Sequence, residues 1–209
     1  MSLIEKLIPV IVVDSPNSAV ELARLYKSAG ITSIEITLRT ETALDCIAAV
    51  KDSRIDIQIG AGTITDNEQA QEATNLGVDF LVSPATSESL LRFAAKTNLP
   101  MYLGFSTISE ALRLVDSGLG IGKFFPAESS GGSSFLQSLA SVLPNFRVFP
   151  TGGIQLSNLA DYLKLSNVTH IGGTWLAPKQ NIAQGDWKAI EKLLQETKEY
   201  LANYERNEK

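Results

Sequence analysis

The 209-residue chain has a single cysteine, Cys46, and a single histidine, His170. One cysteine excludes an intrachain disulfide. Without a CxxC, an HxxxH or a Cys/His cluster, the chain also lacks the ligand spacing of a zinc, iron–sulfur or other transition-metal site. Neither a metal nor a cofactor is expected. Missing too is any apolar run near the ~20 residues needed to cross a bilayer. The N-terminal "MSLIEKLIPVIVV" is interrupted by Glu5 and Lys6 and has no small-residue cleavage pattern. No membrane partner is expected, and a reducing, cytoplasmic setting fits. Positive charge is sparse and scattered, with 18 Lys and Arg against 23 Asp and Glu, for a net −5 at pH 7. That leaves no basic footprint for nucleic acid.

What is present is a globular balance, 44% apolar and 20% charged, arranged in one repeated rhythm. Short β-branched runs alternate with helical-period stretches. Strands are predicted at 9–13, 33–38, 57–62, 79–83, 101–106, 121–125, 147–151 and 169–173. The intervening "SPNSAVELARLYKSAG" shows the helix signals: Ser15 as cap, Pro16 at the first helical position, apolar residues at helical spacing and Gly30 as the stop. In the last stretch Asp186 can cap an apolar stripe of Trp187, Ile190, Leu194, Leu201 and Tyr204, with "ERNEK" fraying at its end. Repeated strand–helix units with no break in composition predict a parallel sheet in one domain spanning 1–209. Eight units match closure into a (β/α)8 barrel. The alternative is an open doubly wound sheet, against which stands the lack of a G-x-G-x-x-G after the first strand.

In a barrel the chemistry sits at the C-terminal strand ends, facing inward. In "SIEITLRTE", Glu35, Thr37 and Arg39 alternate with Ile34, Ile36 and Leu38. Because helices cover the outside of a barrel, the polar set faces the axis. A catalytic Glu35 and a structural Glu35–Arg39 pair are both compatible with that placement. Lys123, in "GKFFPAE", lies near the end of the sixth predicted strand with Phe125 on its own face and Phe124 on the other. An amine among apolar groups has its charged form disfavoured, and the neutral amine is the species that attacks a ketone. A snorkelling surface lysine is the ordinary alternative. Two glycine doublets, "PTGGI" and "HIGGT", follow the seventh and eighth strands, where barrels frequently bind phosphate through backbone N–H groups. Thr151 and Thr174 can add hydroxyls there, and Thr63 in "GAGT" can donate to a carboxylate or carbonyl. His170 reads as a structural imidazole and Cys46 as core packing.

Five motifs in order, "EITLRT", "GAGT", "GKFFPAE", "PTGGI" and "IGGTWL", resemble the bacterial 2-keto-3-deoxy-6-phosphogluconate (KDPG) or 4-hydroxy-2-oxoglutarate (KHG) aldolases along essentially the whole chain. The resemblance implies a (β/α)8 barrel, a homotrimer and a metal-independent lysine Schiff base. The substrate it implies is a phosphorylated 2-keto acid, cleaved to pyruvate and an aldehyde. It makes Lys123 the Schiff-base lysine and Glu35 the proton-transferring carboxylate. Arg39 and Thr63 would hold the pyruvate carboxylate, while Gly152, Gly153 and Thr174 hold the phosphate. Thr151, Phe125 and Pro84 would line the site. The chain departs from the family pattern at Thr174, where serine is frequent, at Ala85, where glycine is, and at Leu103, where proline is. A related pyruvate aldolase acting on the galactonate epimer or on 4-hydroxy-2-oxoglutarate, a phosphosugar isomerase and a non-catalytic sugar-phosphate-binding barrel remain alternatives on the same fold.

Overall fold

The computed structural model describes residues 2–207. Nine parallel strands, β1 (Leu7–Ile11), β2 (Ser33–Thr37), β3 (Gln58–Gly62), β4 (Phe80–Val82), β5 (Met101–Tyr102), β6 (Gly104–Phe105), β7 (Ile121–Phe124), β8 (Arg147–Pro150) and β9 (Ile171–Gly173), occupy the eight expected places. The fifth place, predicted as one strand over 101–106, is two short pieces. Leu103 between them turns its fully buried side chain into the outer core. The first strand starts two residues earlier than predicted because Leu7, Ile8 and Pro9 pair with Ile171, Gly172 and Gly173.

Hydrogen bonding runs in the order β5-β4-β3-β2-β1-β9 and, separately, β6-β7-β8. Bridges Val148–Val168 and Thr151–Gly172 join β8 to β9, and β5 with β6 joins the two sheets on the other side. The strands thus close a ring, the (β/α)8 barrel. Around it lie α1 (Pro16–Ser28), α2 (Ala43–Asp52), α3 (Asn67–Asn75), α4 (Glu88–Ala94), α5 (Ile108–Asp116), α6 (Gly132–Val142), α7 (Leu159–Leu163), α8 (Lys179–Gln184) and α9 (Trp187–Asn207).

Strand alternation explains why the apolar residues form two separate clusters. Outward-facing Ile34, Ile36, Ile59 and Phe124 pack with Leu22, Ile47, Leu114 and Leu136 of the helices. Inward-facing Ile8, Phe80, Val82 and Phe149, with Tyr102 against them, plug the barrel interior. A filled interior with its own layer of side chains is what distinguishes a barrel core from an open sheet. Glycine is required where these side chains crowd the neighbouring strand. A Cβ at Gly60 would lie 2.0 Å from the Phe80 ring.

The helix signals hold where they were local. Ser15 Oγ accepts from Ser18 N at 3.4 Å, and Pro16 opens α1. Gly30 follows with φ +88°. Asp186 Oδ1 accepts from Ala189 N at 3.1 Å at the head of α9, which continues through residue 207. The tail expected to fray is therefore helical over Glu205–Asn207, and the rest of it, 208–209, lies outside the described residues. Among the described residues no helix is long and apolar enough to cross a membrane. Cys46 is buried in α2 facing the Val13 carbonyl at 3.9 Å, and burial pushes its thiol up to about 11.

Candidate active site

Glu35 and Lys123 meet inside the barrel. The Lys123 Nζ lies 3.1 Å from Glu35 Oε1 and 3.4 Å from Oε2. Their side chains are 3% and 0% exposed respectively. The strands dictate the meeting: both residues are inward positions, on β2 and β7, across the barrel from one another. Space for the carboxylate comes from Gly62 on β3, where a Cβ would fall 2.1 Å from Glu35 Oε1. A buried ion pair of this kind costs desolvation that its own attraction barely offsets, so stability alone does not account for it. The Lys123 amine also faces two rings, Phe125 at 5.4 Å and Phe149 at 5.9 Å from their centroids. The snorkelling alternative for Lys123 is excluded by its burial.

Arg39 does not pair with Glu35. It stands just beyond β2, exposed, and its Nε donates to Thr63 Oγ1 at 3.1 Å. Among the described residues its guanidinium has no carboxylate partner. Thr63, at the end of β3, holds φ +61°, an uncommon conformation for a β-branched residue, which aims its hydroxyl at Arg39. Thr37, the inward residue between Glu35 and Arg39, donates to the Ile11 carbonyl at 3.0 Å and is spent on the ladder.

The glycine loop after β8 has its carbonyls turned into the protein. Ala127 N donates to Thr151 O at 2.8 Å, Glu128 N to Gly152 O at 3.0 Å, and Asn158 Nδ2 to Gly153 O at 3.3 Å. The N–H groups of Gly152, Gly153 and Ile154 have no partner among the described residues. With φ of +107° and +80° at Gly152 and Gly153, this backbone suits glycine and presents consecutive donors, the arrangement that receives an anion. Thr151 Oγ1 is buried and unpaired, pressed against Gly172, where a Cβ would fall 2.2 Å away. An unpaired buried hydroxyl is costly unless a ligand meets it. Thr174 follows Gly173 directly and is exposed.

By strand order, Arg39 and Thr63 lie after β2 and β3, while the glycine loop and Thr174 lie after β8 and β9, on the opposing side of the mouth. The Lys123–Glu35 pair lies within the barrel, below both. Pro84, beyond β4, packs its carbonyl against Gly104, the residue paired with Lys123. It is therefore one strand removed from the amine. Sequence reasoning missed Phe149 and Gly62. The period-two count back from Thr151 marks Phe149 as inward, and the register Thr37–Gly62 puts the glycine beside the β2 inward set.

His170 sits outside this constellation, at the N-terminal edge of β9. Its Nδ1 is 3.2 Å from Thr169 Oγ1 and its ring is edge-on to Phe149, centroids 6.2 Å apart. Burial, and then the Lys6 charge, hold its pKa below 6.5. The unfolded chain therefore takes up the proton first as pH falls, so His170 withdraws stability from about pH 6.5 down to its folded pKa. His170→Asn is expected to flatten that limb of a urea-midpoint-versus-pH curve. An unchanged slope contradicts the assignment.

A parallel barrel with a buried amine at the C-terminal end of a strand, facing a carboxylate, defines the class as a (β/α)8-barrel enzyme. The model of the family "KDPG and KHG aldolase" matches residues 3–193, and the chain belongs to that aldehyde-lyase family. A 2-dehydro-3-deoxy-phosphogluconate aldolase of Pseudomonas aeruginosa is 38% identical over 202 residues, covering 97% of this chain and 92% of the relative. Among solved structures, the KDPG aldolase of Legionella pneumophila with pyruvate captured as a covalent carbinolamine superposes with TM-score 0.87 at 34% identity, covering 90% of this chain and 92% of that one. The 2-keto-3-deoxy-6-phosphogluconate aldolase of Zymomonas mobilis with 3-phosphoglycerate gives TM-score 0.83 at 31% identity, covering 91% and 90%.

Proposed function

We propose that this chain reversibly cleaves 2-keto-3-deoxy-6-phosphogluconate to pyruvate and glyceraldehyde 3-phosphate through a Schiff base on Lys123. The observation that carries this is the buried Lys123–Glu35 contact at 3.1 Å. Transfer of the shared proton to Glu35 leaves a neutral amine, which adds to the C2 ketone to give a carbinolamine. Glu35 returns that proton to the carbinolamine hydroxyl, which leaves as water to give the iminium and restores the carboxylate. The carboxylate of Glu35 then removes the C4 hydroxyl proton, and the C3–C4 electron pair moves into the iminium as the aldehyde leaves. The resulting enamine takes a proton back at C3, and hydrolysis returns pyruvate and the amine. Phe125 and Phe149 keep bulk water away from the nitrogen.

The two ends of the substrate need opposite sides of the mouth. Arg39 offers the C1 carboxylate a planar fork with its Nε already steered by Thr63, whose hydroxyl proton is free to point at the same carboxylate. The Gly152–Gly153 amides, Thr151 and Thr174 receive the phosphate, and Pro84 walls the mouth beyond β4, next to the Thr63 strand end. Arg39→Ala is expected to raise the KM for pyruvate in the condensation direction by about 10–100-fold, with Arg39→Lys recovering only part because an ammonium cannot fork. An unchanged KM removes Arg39 from the carboxylate site.

Kinetics separate the substrates. Pyruvate release from 2-keto-3-deoxy-6-phosphogluconate, its galactonate epimer and 4-hydroxy-2-oxoglutarate is compared as kcat/KM. The phosphogluconate compound is expected to lead, and release from none of the three overturns the proposal. We place the protein in the cytoplasm as a homotrimer. Ile108, Leu112 and Val115 on α5 and Val142 on α6 are 38–57% exposed, an apolar face suited to contact between copies, with sedimentation equilibrium as the check.

A further inference from the structure

The glycine loop that faces the phosphate position rests on a side chain that takes no part in the chemistry above. Glu128 opens a short 3-10 turn, Glu128–Ser130, between β7 and α6. A Cβ on Gly153 would fall 2.7 Å from both its Cβ and its Cγ, so the glutamate stem lies directly against the loop. Its backbone N–H holds the Gly152 carbonyl at 3.0 Å. Its carboxylate accepts a hydrogen bond from the hydroxyl of Tyr162 on α7, the helix that follows the loop. Tyr162 is 1% exposed, and burial first, then the bond to Glu128, push its hydroxyl well above the ordinary range. It is therefore a fixed donor. The loop is clamped from both sides, by the preceding β7–α6 turn and by its own following helix. Glu128 is exposed, so solvent screens its charge from an anion at the loop while its stem and the Tyr162 bond hold the backbone.

We propose that Glu128 and Tyr162 are positioning residues that hold the Gly152–Gly153 amides in place for a phosphate group and so set the preference for phosphorylated over unphosphorylated substrates. This rests on the aldolase reading for its substrates, but the anion site itself does not. Loosening the clamp lets the loop shift by a fraction of an ångström, enough to spoil a set of backbone donors while the Lys123–Glu35 pair, held on β7 and β2, stays put. The contribution is confined to the phosphate end of the substrate.

Tyr162→Phe removes one oxygen and keeps the ring. Its KM for 2-keto-3-deoxy-6-phosphogluconate is expected to rise about tenfold, with kcat and the constants for 4-hydroxy-2-oxoglutarate near wild type. Glu128→Ala should repeat the effect, and Glu128→Gln, which keeps an acceptor for Tyr162, should largely rescue it. Binding is read independently of turnover by titrating inorganic phosphate and following the Gly152 and Gly153 amide resonances, where Tyr162→Phe should weaken the midpoint by the same factor. Equal losses on both substrates would make the pair merely structural and overturn the proposal. So would an unchanged phosphate midpoint, or a Glu128→Gln as damaged as Glu128→Ala. A wild type that binds phosphate at this loop yet cleaves none of the three keto acids leaves the clamp standing and removes the aldolase reading instead.

Discussion

Lys123→Met is expected to abolish both the aldol reaction and the capture of pyruvate, with kcat/KM falling by at least about 10⁴-fold, because among the described residues no other lysine is buried with Glu35. The substitution keeps an unbranched chain of similar length between Phe125 and Phe149, so the loss is one of nucleophile rather than of shape. It also strands a fully buried carboxylate. Removing one partner of a buried pair costs about 3–5 kcal/mol, which in a domain of this size lowers Tm by roughly 6–20 °C. The double variant Lys123→Met/Glu35→Gln removes the stranded charge and should recover much of that stability while remaining inactive. Thermal melts of the single and double variants, beside a pyruvate-release assay, read both effects. A single variant that melts at the wild-type temperature would contradict the buried-pair geometry, and residual turnover within tenfold of wild type would contradict the role of the lysine.

Glu35→Gln should separate proton transfer from Schiff-base formation. The amide fits the space left by Gly62 and can still accept a hydrogen bond from Lys123, so iminium formation survives. Loss of the base is expected to lower kcat by about 10²–10⁴-fold. The exchange of pyruvate methyl protons with deuterated solvent, followed by NMR, isolates that step because it needs enamine formation but no aldehyde. Exchange at the wild-type rate in Glu35→Gln removes Glu35 from the base role, whatever happens to overall turnover.

Much of this was legible in the chain itself. Alternation in "SIEITLRTE" places Glu35 inward only if the outer face is covered, and the strand–helix rhythm supplies the cover. The two glycine doublets carry their meaning through their positions after the last two strands. Other features were out of reach of local pattern. Whether Glu35 would pair with Arg39, four residues on and just past the end of its strand, or with Lys123, on a strand across the barrel, depends on ring closure. Spacing along one strand suggests the first, and the structure shows the second. The interruption at Leu103 has no strong local signal either, since the apolar run Met101, Tyr102, Leu103 and Phe105, broken only by Gly104, reads as continuous strand. Phe149 was visible as an apolar residue, but its place beside the amine depends on which face of β8 turns inward. The Glu128–Tyr162 clamp joins residues 34 positions apart through two loops whose lengths and turns no periodicity encodes.

The most direct measurement for the central claim is incubation of the wild-type protein with pyruvate and borohydride, followed by peptide mass spectrometry. Reduction of the iminium is expected to leave a single carboxyethyl adduct, on the peptide carrying Lys123 and at its Nζ. An adduct on any other lysine, or none under conditions that trap another lysine-dependent aldolase, contradicts the account.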